Sequence, residues 1–258
     1  MRKQEEMLII SQQQIARDVF ELMLQGDLVS MMLQAGQFVN VKVGDGSLIL
    51  RRPISICNIN HEKSELTLIY RSEGAGTKVL SEKKSGEYVD ILGPLGTGFD
   101  VDKIEDDRVV LLVGGGIGVP PMYEAAKRIS ARGNKVIAVL GFASEADVFY
   151  EEKFKEFADV YVATMDGTKG FKGHVVELIQ DKKLDFDWIL GCGPHIMLKA
   201  IATEYKGLKK GFLSFEERMA CGIGACYACI CEMDDGTRSR ICKEGPVYEL
   251  SEVGVYTT

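Results

Sequence analysis

Five of the seven cysteines in the 258-residue chain fall between Cys221 and Cys242. Four of them, Cys221, Cys226, Cys229 and Cys242, follow the spacing C-x4-C-x2-C with a fourth cysteine downstream, the plant-type pattern for a 2Fe–2S cluster. A two-iron core needs four thiolates around a compact centre. The small residues Gly222, Gly224, Ala225 and Ala228 let the backbone wrap close and aim its N–H groups at sulfur. Those hydrogen bonds and burial set the potential, about −400 mV for this cluster type. A structural zinc site is the competing reading, but such sites usually pair two C-x2-C knuckles, and Cys242 has no near partner. Cys231 falls outside the spacing and reads as a small packed residue rather than a fifth ligand.

A second group of residues suits anions. Gly114, Gly115, Gly116 and Gly118 follow a β-branched run and precede Pro120-Pro121, which fit a first helical turn. Glycines let a backbone approach a pyrophosphate, and free N–H groups at a helix start favour its charge. The strict G-x-G-x-x-G fingerprint is absent, because Val119 stands at the third glycine position. Gly191-Cys192-Gly193-Pro194 closes the last strand of the same region. Cys192 reads either as a neighbour of a nicotinamide ring or as a turn cysteine. Ser144-Glu145-Ala146-Asp147 carries two carboxylates and no arginine, which repels a 2′-phosphate and favours NAD over NADP.

A third group lies earlier. Arg51-Arg52-Pro53-Ile54-Ser55 joins guanidinium, an extended proline segment and a hydroxyl, a set able to clamp a phosphate beside a flavin ring. Tyr70 and Arg71 end a strand and read either as a ligand contact or as an edge-strand surface pair. Gly74-Ala75-Gly76-Thr77 can open a helix towards a phosphate. His61, His174 and His195 stand far apart and read as ordinary core or surface residues. No Ser–His–Asp order supports hydrolysis, and Asp106-Asp107 and Glu151-Glu152 read as solvated faces.

The elements that would position these groups form three units. Residues 1–102 read as an antiparallel β-barrel, with strands at Phe38–Val43, Leu66–Tyr70 and Tyr88–Leu92, a helix at Thr77–Lys83, and turns at 44–46, 74–76 and 93–94. Residues 103–212 alternate strands (108–113, 136–141, 160–164, 188–190) with helices (122–131, 151–157, 175–180, 196–205), the pattern of a doubly wound parallel α/β sheet. Residues 213–258 hold the cysteines and too little apolar sequence to fold alone, and read as a metal-nucleated appendage. The fold class is therefore α+β, multidomain.

Composition agrees with a packed, soluble chain: 46% hydrophobic and 27% charged residues. A net charge of −7 argues against nucleic acid or an anionic membrane as partner. No apolar run nears the roughly 18 residues of a membrane span, and the start MRKQEEMLII lacks a signal-peptide pattern. Dense cysteine in such a chain points to the cytoplasm and to metal or redox chemistry.

In this order, R-P-x-S in a barrel, G-G-G-I-G in a nucleotide domain and C-x4-C-x2-C, the chain resembles the ferredoxin–NADP reductase superfamily. Within it, the chain is similar to the electron-transfer subunits of NAD-dependent (class B) dihydroorotate dehydrogenases, over nearly its whole length. The most specific stretches are Phe215 to Cys226 and Arg240 to Val247. The resemblance implies FAD held by Arg52, Pro53, Ile54, Ser55, Ile69, Tyr70, Arg71, Gly76 and Thr77. It implies a 2Fe–2S cluster on Cys221, Cys226, Cys229 and Cys242, and NAD at Gly114, Gly115, Gly116, Gly118, Cys192, Gly193 and Pro194. It further implies a heterotetramer of two such chains with two FMN-bearing catalytic subunits, which oxidise dihydroorotate to orotate in pyrimidine (UMP) biosynthesis. Electrons would leave FMN singly, cross the cluster to FAD and reach NAD as hydride. The dihydroorotate site belongs to the partner, so no catalytic residue is assigned here. The alternatives are an NAD(P)H–ferredoxin or sulfide-type reductase subunit with the same FAD and 2Fe–2S plan, and a sensing or assembly protein without turnover. Arg51 and Cys231 are the visible departures from the pattern.

Overall fold

The computed structural model describes residues 2–44, 46–233 and 235–253; Asp45 of the expected turn and the last five residues of the 213–258 segment lie outside it. Strands β1 (Lys3–Ala16), β2 (Val19–Gln25), β3 (Phe38–Val41), β4 (Arg52–Asn60), β5 (Glu65–Arg71) and β6 (Tyr88–Leu95) form a closed barrel in the order β1-β2-β5-β4-β3-β6. A helix, α1 (Ala75–Glu82), leads from β5 towards β6. Leu22, Leu24, Ile56, Leu66, Leu68 and Ile91 fill the interior with no exposed surface. Strands β3, β5 and β6 match those expected from the sequence, whereas the first hairpin and β4 carry no clear signal there. In β1 just Met7 and Ile9 are fully buried among glutamines and glutamates, so its alternation is faint. Pro53 also weakens the strand signature of β4. It is tolerated near the start of β4, where β3 pairs with Arg52–Ser55 and no further. Beyond Ser55 that side of β4 pairs with no strand among the described residues.

The second sheet contains β7 (Val109–Gly115), β8 (Lys135–Phe142), β9 (Asp159–Thr164), β10 (Phe171–Lys172), β11 (Trp188–Cys192) and β12 (Lys210–Ser214), all parallel. Helices α2 (Val119–Ala131), α3 (Glu151–Phe154), α4 (Val175–Asp181) and α5 (His195–Tyr205) connect them. Leu111, Leu112 and Val113 of β7 are wholly buried, because helices cover both faces. Helix α2 starts three residues before its expected position, with both prolines in its first turn, where no N–H bond is lost. Helix α3 is shorter than expected and ends at Phe154.

The cysteine segment adds β13 (Ile230–Glu232) paired with β14 (Arg238–Arg240), then β15 (Val247–Glu249). β15 lies antiparallel on β12, so the full sheet order is β10-β9-β8-β7-β11-β12-β15. Ile241, Cys242, Tyr248 and Leu250 pack into the same apolar cluster as Leu111, Val113 and Ile189. The segment thus gains its core from the parallel sheet, in addition to anything a metal contributes.

Candidate functional site

The four candidate ligand thiols arise from one tight loop and the turn after β14. Two left-handed glycines, Gly222 (φ +65°) and Gly224 (φ +84°), let the loop curl on itself. Its N–H groups then face sulfur: those of Ile223 and Ala225 reach Cys221 Sγ at 3.4 and 3.3 Å, and that of Gly224 reaches Cys242 Sγ at 3.1 Å. The Cys221 N–H reaches Cys226 Sγ and the Cys242 N–H reaches Cys229 Sγ, both at 3.5 Å, which links the four cysteines two and two. Burial raises the Cys221 pKa, but the N–H groups of Ile223, Cys226 and Ala225 outweigh it and bring it to about 6. Cys242, buried and beside the Cys229 thiol, is pushed up to about 12. Two pairs of soft thiols ringed by N–H donors fit a two-iron core, in which each iron takes two of the four thiolates. Cys226 is exposed while Cys229 and Cys242 are buried. Ile223 and Tyr227 beside Cys226 are 38% and 59% exposed, with Arg240 4.9 Å over the Tyr227 ring. Cys231 is half-buried and neighbours Tyr248.

The glycine turns after β7 and β11 lie side by side, in register at Cys192 and Gly114. From β7 the chain winds through β8, β9 and β10 on one side, then crosses to β11 on the other. The two turns therefore sit at the point where strand order reverses, the usual ligand crevice of an open α/β sheet. A Cβ on Gly118 would lie 2.3 Å from the Cys192 carbonyl oxygen, so the close approach of the turns demands glycine there. Cys192 is half-buried; burial pushes its thiol up to about 12, against a hydrogen bond from the Ser214 hydroxyl. It is a protonated, neutral group at ordinary pH.

The barrel supplies the facing wall. Pro53 and Ser55 of β4 line a cleft with Gly118, Cys192, Ser214 and Glu216. Arg52 packs its guanidinium against Gly76 at the start of α1, 2.6 Å from where a Cβ would stand. Thr77 closes the first turn of α1 by accepting from the Gly74 N–H at 3.2 Å. Arg71 Nε is buried without a hydrogen-bond partner among the described residues, while Arg71 Nη1 is 3.3 Å from Glu73. A buried guanidinium N–H with no acceptor fits an anionic group such as a flavin pyrophosphate. The surface-pair reading of Tyr70 and Arg71 fails, because the Tyr70 side chain is buried although the β4–β5 ladder ends at Leu68. Ile69 and Tyr70 are buried, and Tyr70 donates to Gln12 Oε1 at 2.8 Å, so Arg71 carries the open polar group of this run. Ile54 is buried as well.

Ser144 to Asp147, which has no arginine in its own stretch of sequence, receives one in the fold. Arg17, from the β1–β2 turn, binds Asp147 through two hydrogen bonds of 3.0 and 2.6 Å and reaches Ser144 Oγ at 3.3 Å. An arginine is therefore present, and it neutralises one of the two carboxylates. It comes from 130 positions away, so no local pattern could show it. Glu216 and Ser214, which no motif in the sequence marks, also line the cleft. They stand at the carboxyl end of β12, and the rule that ligands bind at strand ends could have found them. His61, His174 and His195 are all exposed.

Residues 6–99 match the family described as oxidoreductase FAD-binding domain, and residues 216–254 match the iron-sulfur cluster binding domain of dihydroorotate dehydrogenase B. A Bacillus cereus protein named dihydroorotate dehydrogenase B (NAD(+)), electron transfer subunit, is 50% identical over 98% of this chain and 99% of its own. A Bacillus mycoides protein of the same name is 51% identical with the same coverage. Among solved structures, that of an NADH-dependent reduced ferredoxin-NADP oxidoreductase, described in terms of flavin-based electron bifurcation, superposes with TM-score 0.85 at 28% identity. It covers 97% of this chain and 90% of that one. Among the described residues, no helix is long and apolar enough to cross a membrane.

Proposed function

The chain belongs to the family of electron-transfer subunits of dihydroorotate dehydrogenase B, and from that we propose that it takes electrons from the FMN of a catalytic partner subunit and delivers them, through a 2Fe–2S cluster and FAD, to NAD+. The observation that carries this reading is the cleft where Pro53 and Ser55 of the barrel, Gly118 and Cys192 of the nucleotide sheet and Glu216 of the cysteine segment meet. Parts of the barrel, of the parallel sheet and of the segment that carries the cysteines all border it.

FAD supplies the conversion between single electrons and a hydride when bound. The chain's residues supply position. Arg52, Arg71 and the start of α1 hold the flavin pyrophosphate, while Pro53, Ile54 and Ser55 shape the wall against the ring. The turn from Gly114 to Gly118 and the start of α2 take the nicotinamide dinucleotide's pyrophosphate. Cys192, Gly193 and Pro194 close the nicotinamide side, and the neutral thiol adds no charge there. Cys221 with Cys226 and Cys229 with Cys242 hold the cluster. Ile223, Ala225, Cys226 and Tyr227 form the surface turned to the partner, since electrons must enter within short range of iron. The partner carries the dihydroorotate site, and two chains of each kind form a heterotetramer in the cytoplasm, in pyrimidine biosynthesis. The likeness to the ferredoxin-linked reductase is one of fold at 28% identity, well below the 50% of the dihydroorotate dehydrogenase B subunits.

The test is dihydroorotate-dependent NAD reduction by the complex captured from its native host with this chain as bait, oxygen excluded. Orotate and NADH formed in equal amounts are expected. A complex that holds FAD and iron yet forms neither would refute the assignment of partner and substrate.

A further inference from the structure

Asn40 is a polar residue in an apolar wall. It sits mid-way along β3, 1% exposed, paired across the ladder with Pro53 of the flavin-binding strand and Leu92 of β6. Its neighbours Val39 and Val41 are wholly buried hydrophobes. Asn40 Nδ2 donates to the carbonyl of Cys221 at 3.3 Å, across 181 positions of sequence. The same nitrogen lies 2.0 Å from where a Cβ on Gly222 would be, so amide and loop meet with no space between them. Asn40 Oδ1 is buried and has no hydrogen-bond partner among the described residues. An unpaired buried amide oxygen is unusual, and an aliphatic side chain would suit this barrel wall better. The amide's one visible bond is to the cysteine loop.

The backbone behind it is braced. Arg51, the extra arginine of the sequence motif, donates to the Asn40 carbonyl at 3.4 Å. It also binds the buried Asp90 carboxylate at 3.0 and 2.9 Å, and Gln4 donates to the same carboxylate at 2.8 Å. A second tether runs from Arg2 Nη1 to the Ile223 carbonyl at 2.9 Å. Cys221, Gly222 and Ile223 are the stretch whose N–H groups and sulfur build the cluster pocket.

We propose that Asn40 is a positioning residue for the cluster: its amide grips Cys221 and seats the ligand loop against β3, thereby fixing the distance and orientation between cluster and flavin-binding strand. This rests on the 2Fe–2S reading. Outer partners that orient metal ligands typically matter by about 10–100-fold in metal affinity or activity. Asn40→Leu removes the bond and keeps the wall apolar; Asn40→Asp keeps the shape and exchanges the amide donor for a carboxyl group.

The experiment uses the full chain purified without oxygen, with FAD and iron bound. It reads iron loss to a chelator, the electron paramagnetic resonance spectrum and midpoint potential of the reduced cluster, and flavin reduction by NADH. Both variants are expected to lose iron about tenfold faster than wild type and to shift the cluster spectrum, with flavin reduction by NADH retained. Iron loss and spectrum unchanged in both would overturn the role of Asn40. A change in Asn40→Leu alone would also overturn it, because packing rather than the donated bond would then be responsible. If Asn40→Leu fails to retain FAD, Asn40→Asp decides. Wild-type chain purified without iron would instead refute the cluster reading itself.

Discussion

Glu124 joins the two halves that must bring flavin and nicotinamide together. It lies on α2, the helix that follows the glycine turn, and is 1% exposed. Its carboxylate pairs with Lys127 and Arg128 at 2.7 Å each and accepts the Ile59 N–H at 3.0 Å. Ile59 belongs to the part of β4 that has outrun β3, just past an irregularity in the β4–β5 register between Ile56 and Asn58. The strand's free edge thus finds its acceptor on the nucleotide domain. Lys127 strengthens the joint by donating to Asn58 Oδ1 at 2.6 Å and to the Ile59 carbonyl at 2.8 Å. Glu124→Ala leaves the buried Ile59 N–H unpaired, which costs about 1–3 kcal/mol. Breaking a fully buried ion pair costs about 3–5 kcal/mol, an upper bound here. Lys127 and Arg128 are 30% and 26% exposed, so water recovers part of that loss. The expected total is about 3 kcal/mol. At about 2–4 °C per kcal/mol for a chain of this size, Tm should fall by about 6–12 °C. Glu124→Gln keeps an acceptor for Ile59 and should lose about half as much. Calorimetry of the FAD-loaded chain measures this directly. Hydride transfer needs reacting atoms about 3–3.5 Å apart, so stopped-flow reduction of flavin by NADH should slow in Glu124→Ala. Chemical reduction of the cluster should not. A Tm within a degree of wild type, with the hydride step unchanged, would refute the clamp.

Other substitutions separate the remaining parts. Cys226→Ser should abolish electron flow from the catalytic partner to NAD while NADH-to-dye activity through FAD persists; loss of both together would make the cluster structural. Gly118→Ala drives a Cβ into the Cys192 carbonyl. At about 1–3 kcal/mol for such overpacking, NAD binding should weaken about 5–150-fold by calorimetric titration, with FAD content unchanged. Equal affinities would show that the two turns separate freely. Glu21 is buried on β2. Burial raises its pKa, but hydrogen bonds from Lys153, Tyr150 and Gln13 outweigh this and hold it below the usual 4.5. A depressed carboxyl contributes stability above 4.5 that disappears as pH falls through the folded value. Glu21→Gln should therefore lower Tm at neutral pH, and the difference from wild type should shrink as pH falls below 4.5. A difference that stays constant as pH falls would argue against the ionised pair.

The cysteine spacing, the glycine turn before two prolines and the strand–helix alternation of residues 103–212 were legible because each is local. A thiol loop or an anion-binding turn closes within a few residues, so residue type and spacing already define its chemistry. The same locality explains what was lost. β1 buries few side chains among glutamines, and its pairing with β6 shows just when the barrel closes. Tyr70 reads as a surface residue until folding is seen to bury it. Ser144 to Asp147 lacks an arginine until Arg17 arrives from the far side of the barrel. Asn40 meeting Cys221, Glu124 meeting Ile59 and Ser55 facing Cys192 across the cleft are likewise products of folding. Sequence determined which groups can hold a cluster, a flavin and a dinucleotide. Tertiary structure decided how the three holders meet, because buried polar side chains find their partners across the chain, where no spacing rule reaches.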